Sequence, residues 1–147
     1  MYRTWRAATA WALTLAVMAT MTGSMMRHHV ASAEGAGRSI TVKARLIGWV
    51  ARRDGFYLYP EGATVRLVVS TWPNLLGEEV RARLEWRRAE ARWRLLDVTS
   101  TTLNRDSRGA FLVRGLPAGY AFRIRARVPA GQDHRAGRSP WRYFRVR

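Results

Sequence analysis

The sequence contains no cysteine. That excludes zinc–thiolate sites, cysteine nucleophiles, thiol redox chemistry and disulfide staples. Lysine is nearly absent too, Lys43 being the only one, and past residue 33 the only histidine is His134. Ten acidic residues stand against 26 basic ones, so the net charge of +16 is carried almost wholly by arginine. No serine sits in a Gly-x-Ser-x-Gly turn. The one adjacent carboxylate pair, Glu78-Glu79, falls in a turn, which does not suit glycoside hydrolysis. Asp97, Asp106 and Asp133 lack the ladder of oxygen ligands that a calcium loop needs. No catalytic residue, metal or cofactor is therefore assigned: His134 reads as a solvated loop histidine, Asp106 as a turn residue bonding nearby backbone amides, and the chain as a non-enzyme.

What the N-terminus does have is a long uncharged run. Arg3 and Arg6 precede an almost entirely apolar, small or hydroxylic stretch from Ala7 to Met26, and Ala31-Ser32-Ala33 supplies small residues where a signal peptidase reads. The pattern predicts a helical secretory signal over residues 1–33, a flexible lead over 34–38 and one domain over 39–147. Arg27-His28-His29 is unusual before a cleavage site, and the apolar run is long enough to span a bilayer, so an uncleaved membrane anchor is the alternative. Either way the remainder is expected to be secreted or held at the cell surface. Removing Arg3, Arg6 and Arg27 takes three of the 26 basic groups and no acid, leaving +13. An exported domain of roughly 110 residues without disulfides depends on its hydrophobic core.

That core is legible as a period of two. Ile40, Val42, Ala44 and Leu46 alternate with Thr41, Lys43 and Arg45; Val65, Leu67 and Val69 alternate with Thr64, Arg66 and Ser70. Arg52-Arg53-Asp54-Gly55, Pro60-Glu61-Gly62 and Trp72 to Gly77 read as turns or loops. Val80, Ala82, Leu84 and Trp86 alternate strictly with Arg81, Arg83, Glu85 and Arg87. A helix over residues 78–96 is the competing reading, but its apolar stripe would carry Arg87 in the middle, so two strands, 80–88 and 92–99, are expected. Residues 104–128 read as a β-hairpin turning at Gly115-Leu116-Pro117-Ala118-Gly119, with Tyr120, Phe122, Ile124, Ala126 and Val128 on one face and Arg123, Arg125 and Arg127 on the other. A long loop over 129–140 precedes a last strand in which Phe144 and Val146 face the core. About seven short strands with no βαβ spacing predict an all-β, antiparallel β-sandwich, with Trp86 as its central tryptophan and Trp93 and Trp141 as core residues.

Asp106-x-x-Gly109-x-Phe111 followed by Gly115-Leu116-Pro117-x-Gly119-Tyr120 resembles the turn pattern of prealbumin-like modules, among them the carboxypeptidase regulatory-like and collagen-adhesin B-type domains of bacterial surface proteins. Leu84-Glu85-Trp86-Arg87-Arg88 with Trp93 is similar to the opening of Ig-like domains in secreted actinobacterial proteins. The resemblance covers residues 80–147 and implies a structural or adhesive sandwich.

Two candidate sites follow from the alternation. If the strands of Val80, Tyr120 and Trp141 are neighbours, one outer face carries Arg81, Arg83, Arg87, Arg123, Arg125, Arg127, Arg145 and Arg147, interrupted by Glu85. Such a face suits anionic cell-wall or extracellular polymers, or another surface protein, because like charges side by side gain from an anionic partner. The bland alternative is a solvated face whose arginine reflects GC-rich codons. The rival site is aromatic: Trp49, Tyr57, Tyr59 and Trp72 as stacking platforms of a carbohydrate-binding module.

Overall fold

Each side chain of an extended strand points opposite to its neighbour, so a chain that alternates apolar and charged residues can bury one row and leave the other in water. The structure of the protein, a computed structural model, describes residues 37–147. The expected signal segment and the start of the lead lie outside the described residues.

Ten strands form: β1 (Thr41–Ile47), β2 (Ala51–Arg53), β3 (Phe56–Tyr59), β4 (Val65–Trp72), β5 (Glu79–Arg87), β6 (Arg94–Thr102), β7 (Arg108–Val113), β8 (Ala121–Val128), β9 (Gly137–Arg138) and β10 (Arg142–Val146). One sheet has the order β1-β4-β7, the other β2-β3-β10-β8-β5-β6, with β9 continuing along the β10 edge of β8. Every pairing is antiparallel except β3 with β10. The result is the all-β sandwich the alternation predicted, in a strand arrangement compatible with Ig-like folds. Residues 78–96 are two strands and not a helix.

Val42, Ala44 and Leu46 of β1 and Val65, Leu67 and Val69 of β4 face Val80, Ala82 and Leu84 of β5, Phe122, Ile124 and Ala126 of β8, and Phe144 and Val146 of β10. Fully burying one such aliphatic or aromatic side chain contributes about 1.5–3 kcal/mol. The centre is aromatic: Phe144 stacks on Phe122 at 5.2 Å and meets the edge of Tyr59 at 5.8 Å. Trp86 is therefore not the central tryptophan. It is half-buried at the rim, where its ring meets Tyr120 at 5.2 Å.

Asp54 and Gly55 both take positive φ, 50° and 81°, and join β2 to β3 through a two-residue turn with Arg53 opposite Phe56. That geometry matches the right-handed strand twist, which is why Asp-Gly is so strong a hairpin signal. The expected hairpin over 104–128 does not form. β7 pairs with β4 in the small sheet and β8 pairs with β5, β9 and β10 in the large one, so the Gly-Leu-Pro segment carries the chain from one sheet to the other. In the preceding turn, Asn104 does what was expected of Asp106: its Oδ1 accepts from the Asp106 and Arg108 amides at 3.0 and 2.9 Å.

The region 129–140 is more ordered than a plain loop. Arg38 N donates to Asp133 O at 3.0 Å and Arg135 N to Arg38 O at 3.1 Å, tying the entry of the domain to this arch. His134 is buried, 5% exposed, against the expectation of a solvated side chain. β6, at the edge of the large sheet, is exposed on both faces over most of its length, Leu95, Leu96 and Val98 included, and only Thr101 near its end, beside Gly109 of β7, is half-buried.

Candidate anion-binding face

β8 lies between β10 and β5, which is the adjacency the outer arginine face required. Residues directly opposite in an antiparallel pair share a face with Cβ atoms about 4.5–5.5 Å apart. Arg127 stands opposite Arg81 of β5 and Arg138 of β9; Arg125 stands opposite Arg83; Arg123 stands opposite Glu85 and Tyr143. Arg87 and Arg145 flank Ala121 from the two sides. Seven of the eight expected arginines are thus on one sheet face. Arg147 lies beyond the end of β10, where its amide donates to Tyr59 O at 2.9 Å.

The face is built, not merely crowded. Trp93 and Trp141, expected in the core, lie outside it and alternate with guanidinium groups. Arg87 sits 4.6 Å and Arg123 4.7 Å from the Trp93 ring centre; Arg123 sits 4.3 Å and Arg125 4.4 Å from that of Trp141. Such contacts are worth about 0.5–2 kcal/mol each, depending on desolvation. Tyr143 meets both Trp93 and Phe56 at 5.9 Å, and Arg145 stacks on Phe56 at 4.1 Å. The signal for Trp141 was present in the sequence: it shares parity with Tyr143 and Arg145, the outward residues of its strand. Trp93 precedes β6 and had no such register to mark it.

Among the described residues Glu85 is the one buried acid, 4% exposed. Arg83 Nε donates to its Oε1 and Arg123 Nε to its Oε2, both at 2.7 Å. Burial opposes the charge on Glu85, but the hydrogen bonds from Arg123 and Arg83 outweigh it and hold the carboxyl below its ordinary pKa. At the other end of the face Arg81 is held by Glu79 at 2.9 Å, and no carboxylate of the described residues pairs with Arg125. Burial, together with Arg138 and Arg83 nearby, pushes the Arg125 guanidinium below its ordinary value. Arg138, absent from the expected set, reaches the face on a two-residue strand too short to leave a periodic signal.

The aromatic candidates do not converge. Tyr59 is 1% exposed, its hydroxyl donates to Ile47 O at 3.0 Å, and burial first, with Tyr57 nearby, pushes its pKa up to about 12. Its ring cannot stack on a sugar. Trp72 pairs with Thr41 at one end of β1, whereas Trp49 follows the other end and packs on Tyr57 at 5.4 Å. The length of β1, seven residues or about 20 Å, separates the two tryptophans.

His134 Nδ1 lies 3.1 Å from the Arg135 carbonyl oxygen, and its buried Nε2, 3.8 Å from Glu78 Oε2, has no hydrogen-bond partner among the described residues. The described residues contain no group of three or more metal-ligating side chains. Comparison of the chain with protein-family models and with curated proteins found no match.

Proposed function

We propose that this chain is an exported, non-enzymatic β-sandwich module of the prealbumin-like or Ig-like kind found on bacterial surfaces, and that it adheres to anionic polymers through the outer face of its larger sheet. The observation that carries this reading is the register of two arginine rows, Arg81–Arg127–Arg138 and Arg83–Arg125, across β5, β8 and β9. Like charges directly opposite destabilise a sheet. A polyanion laid across the rows relieves that repulsion, and guanidinium forks match phosphate and carboxylate oxygens bidentately.

Codon-driven arginine accounts for a high count but not for arginine facing arginine in consecutive registers beside a tryptophan ladder. Export rests on the apolar run and small-residue cleavage pattern of residues 7–33. The test is retention of the full-length protein on a polyanion column and on a neutral polysaccharide column across a salt series. Retention on the polyanion that falls with salt, and is weakened by R81Q/R127Q, supports the reading. Salt-insensitive retention on neutral glycan instead would replace it with carbohydrate binding.

A further inference from the structure

The positive charge of the face is unevenly committed. Arg87 and Arg123 are stacked on Trp93, Arg83 and Arg123 are bonded to Glu85, and Arg81 is held by Glu79 at 2.9 Å. No carboxylate of the described residues lies within ion-pair distance of Arg125, Arg127 or Arg138. These three line one concavity of about 360 Å³, walled on the β9 side by Ala136 and Gly137.

Its geometry is fixed from beneath. Ser139 N donates to Ala126 O at 2.9 Å and Ala126 N to Ser139 Oγ at 3.0 Å, which fastens the arch to β8. Gly137 lies so close over Ile40 that a Cβ there would come within 2.6 Å of its Cγ1. Arg138 therefore projects from an anchored strand, and Arg125 is backed by Trp141. Three arginines with no carboxylate partner among the described residues thus line one space that a ligand group can enter.

We infer that the Arg125–Arg127–Arg138 notch is a built site for a tetrahedral phosphate group of a phosphate-bearing polyanion. This rests on the reading of the face as anion-binding and narrows it. A carboxylate offers two oxygens in one plane and one negative charge, enough for a single fork. A phosphate group offers several oxygens in different planes, so forks arriving from β8 and β9 can each find a partner. Arg81 and Arg83 beside the notch each hold one carboxylate but keep further N–H donors on exposed side chains, which gives neighbouring phosphates of the same polymer a continuation and favours a polymer over the free ion.

The test compares charge with geometry. Binding of the full-length protein to fluorescent polyphosphate and to poly-glutamate of matched length is measured for the wild type, for R125K/R127K/R138K, for W141L and for R52K/R53K on the β2–β3 hairpin. Thermal melts check that each variant folds. The triple lysine variant keeps the net charge but loses the fork geometry. A built site predicts that it weakens polyphosphate binding by about tenfold or more while poly-glutamate binding changes little, that W141L weakens polyphosphate binding in the same direction, and that R52K/R53K matches the wild type. If the triple variant binds polyphosphate like the wild type, or poly-glutamate is preferred, the notch is not a phosphate site, although salt-dependent binding of either polymer would leave the reading of the face intact. If the wild type binds neither polymer, the reading of the face fails as well. Competition with inorganic phosphate separates the sources: weak displacement supports a polymer, whereas saturation by the free ion as tight as the polymer itself would overturn the polymer assignment.

Discussion

Arg123 closes on Glu85 with two nitrogens, Nε at 2.7 Å and Nη2 at 2.6 Å, both on the same carboxylate oxygen. The pair stands between β5 and β8 at the point where the arginine face changes from internally neutralised to open.

Because the Glu85 pKa is lowered in the folded state, its ionised form contributes stability above the unfolded value of about 4.3, and that contribution is lost as pH falls through the folded value. Acid unfolding monitored by circular dichroism should accordingly be less steep in E85Q than in the wild type. E85Q should also cost about 1–3 kcal/mol at neutral pH, since two arginine donors lose a charged acceptor. An unchanged acid limb would show that the pair contributes little.

Tyr59 titrates the other way. Its neutral form is favoured in the fold, so the stabilisation is present below the unfolded value of about 10 and is lost as pH rises through about 12. In an alkaline absorbance titration one tyrosinate should lag behind the rest, and Y59F should remove that lagging step. Y59F should lower stability by about 1 kcal/mol through loss of the bond to Ile47 O, and leave any ligand binding unaltered.

Trp93 touches Arg87, Arg123 and Tyr143. Replacing it with alanine removes two cation–π contacts and should lower unfolding stability by about 2 kcal/mol, measured in urea. W141L should cost less stability than W93A and affect anion binding more, because Trp141 backs Arg125 at the open end.

Ser107 takes positive φ in the turn before β7 and is buried, its Oγ donating to Asn74 Oδ1 and accepting from Leu75 N at 2.7 Å. S107A leaves the Leu75 amide without that acceptor, at a cost of about 1–3 kcal/mol, and hydrogen exchange should speed up locally over residues 74–77.

What the sequence makes legible is local. Period-two alternation marks β1, β4, β5, β8 and β10, and Asp54-Gly55 marks its hairpin, because both signals depend on residues adjacent in the chain. Which strands pair is settled by the whole fold. The Gly115 to Gly119 segment announces a turn but says nothing of where the next strand docks, so β7 and β8 look like a hairpin although they belong to different sheets. The outer arginines were readable by parity once β5, β8 and β10 were assumed to be neighbours. Large aromatic size suggests the core for Trp93 and Trp141, yet a ring can serve equally well as a platform for a guanidinium, whereas Trp86 does pack against the core, but from its rim beside Tyr120. Arg138 and the buried state of His134 depend on how the 129–140 arch lies against β8, Arg38 and Glu78, which no local pattern encodes.

The most direct test of an anion-binding face is the salt dependence of binding. Affinity of the full-length protein for polyphosphate, measured across a salt series, should fall linearly in log–log form with a slope of roughly −3, as expected if four or five arginine contacts release counterions, and the slope should shrink by about two units in R125Q/R127Q/R138Q. A slope near zero, or a slope that the triple variant leaves unchanged, would contradict the account.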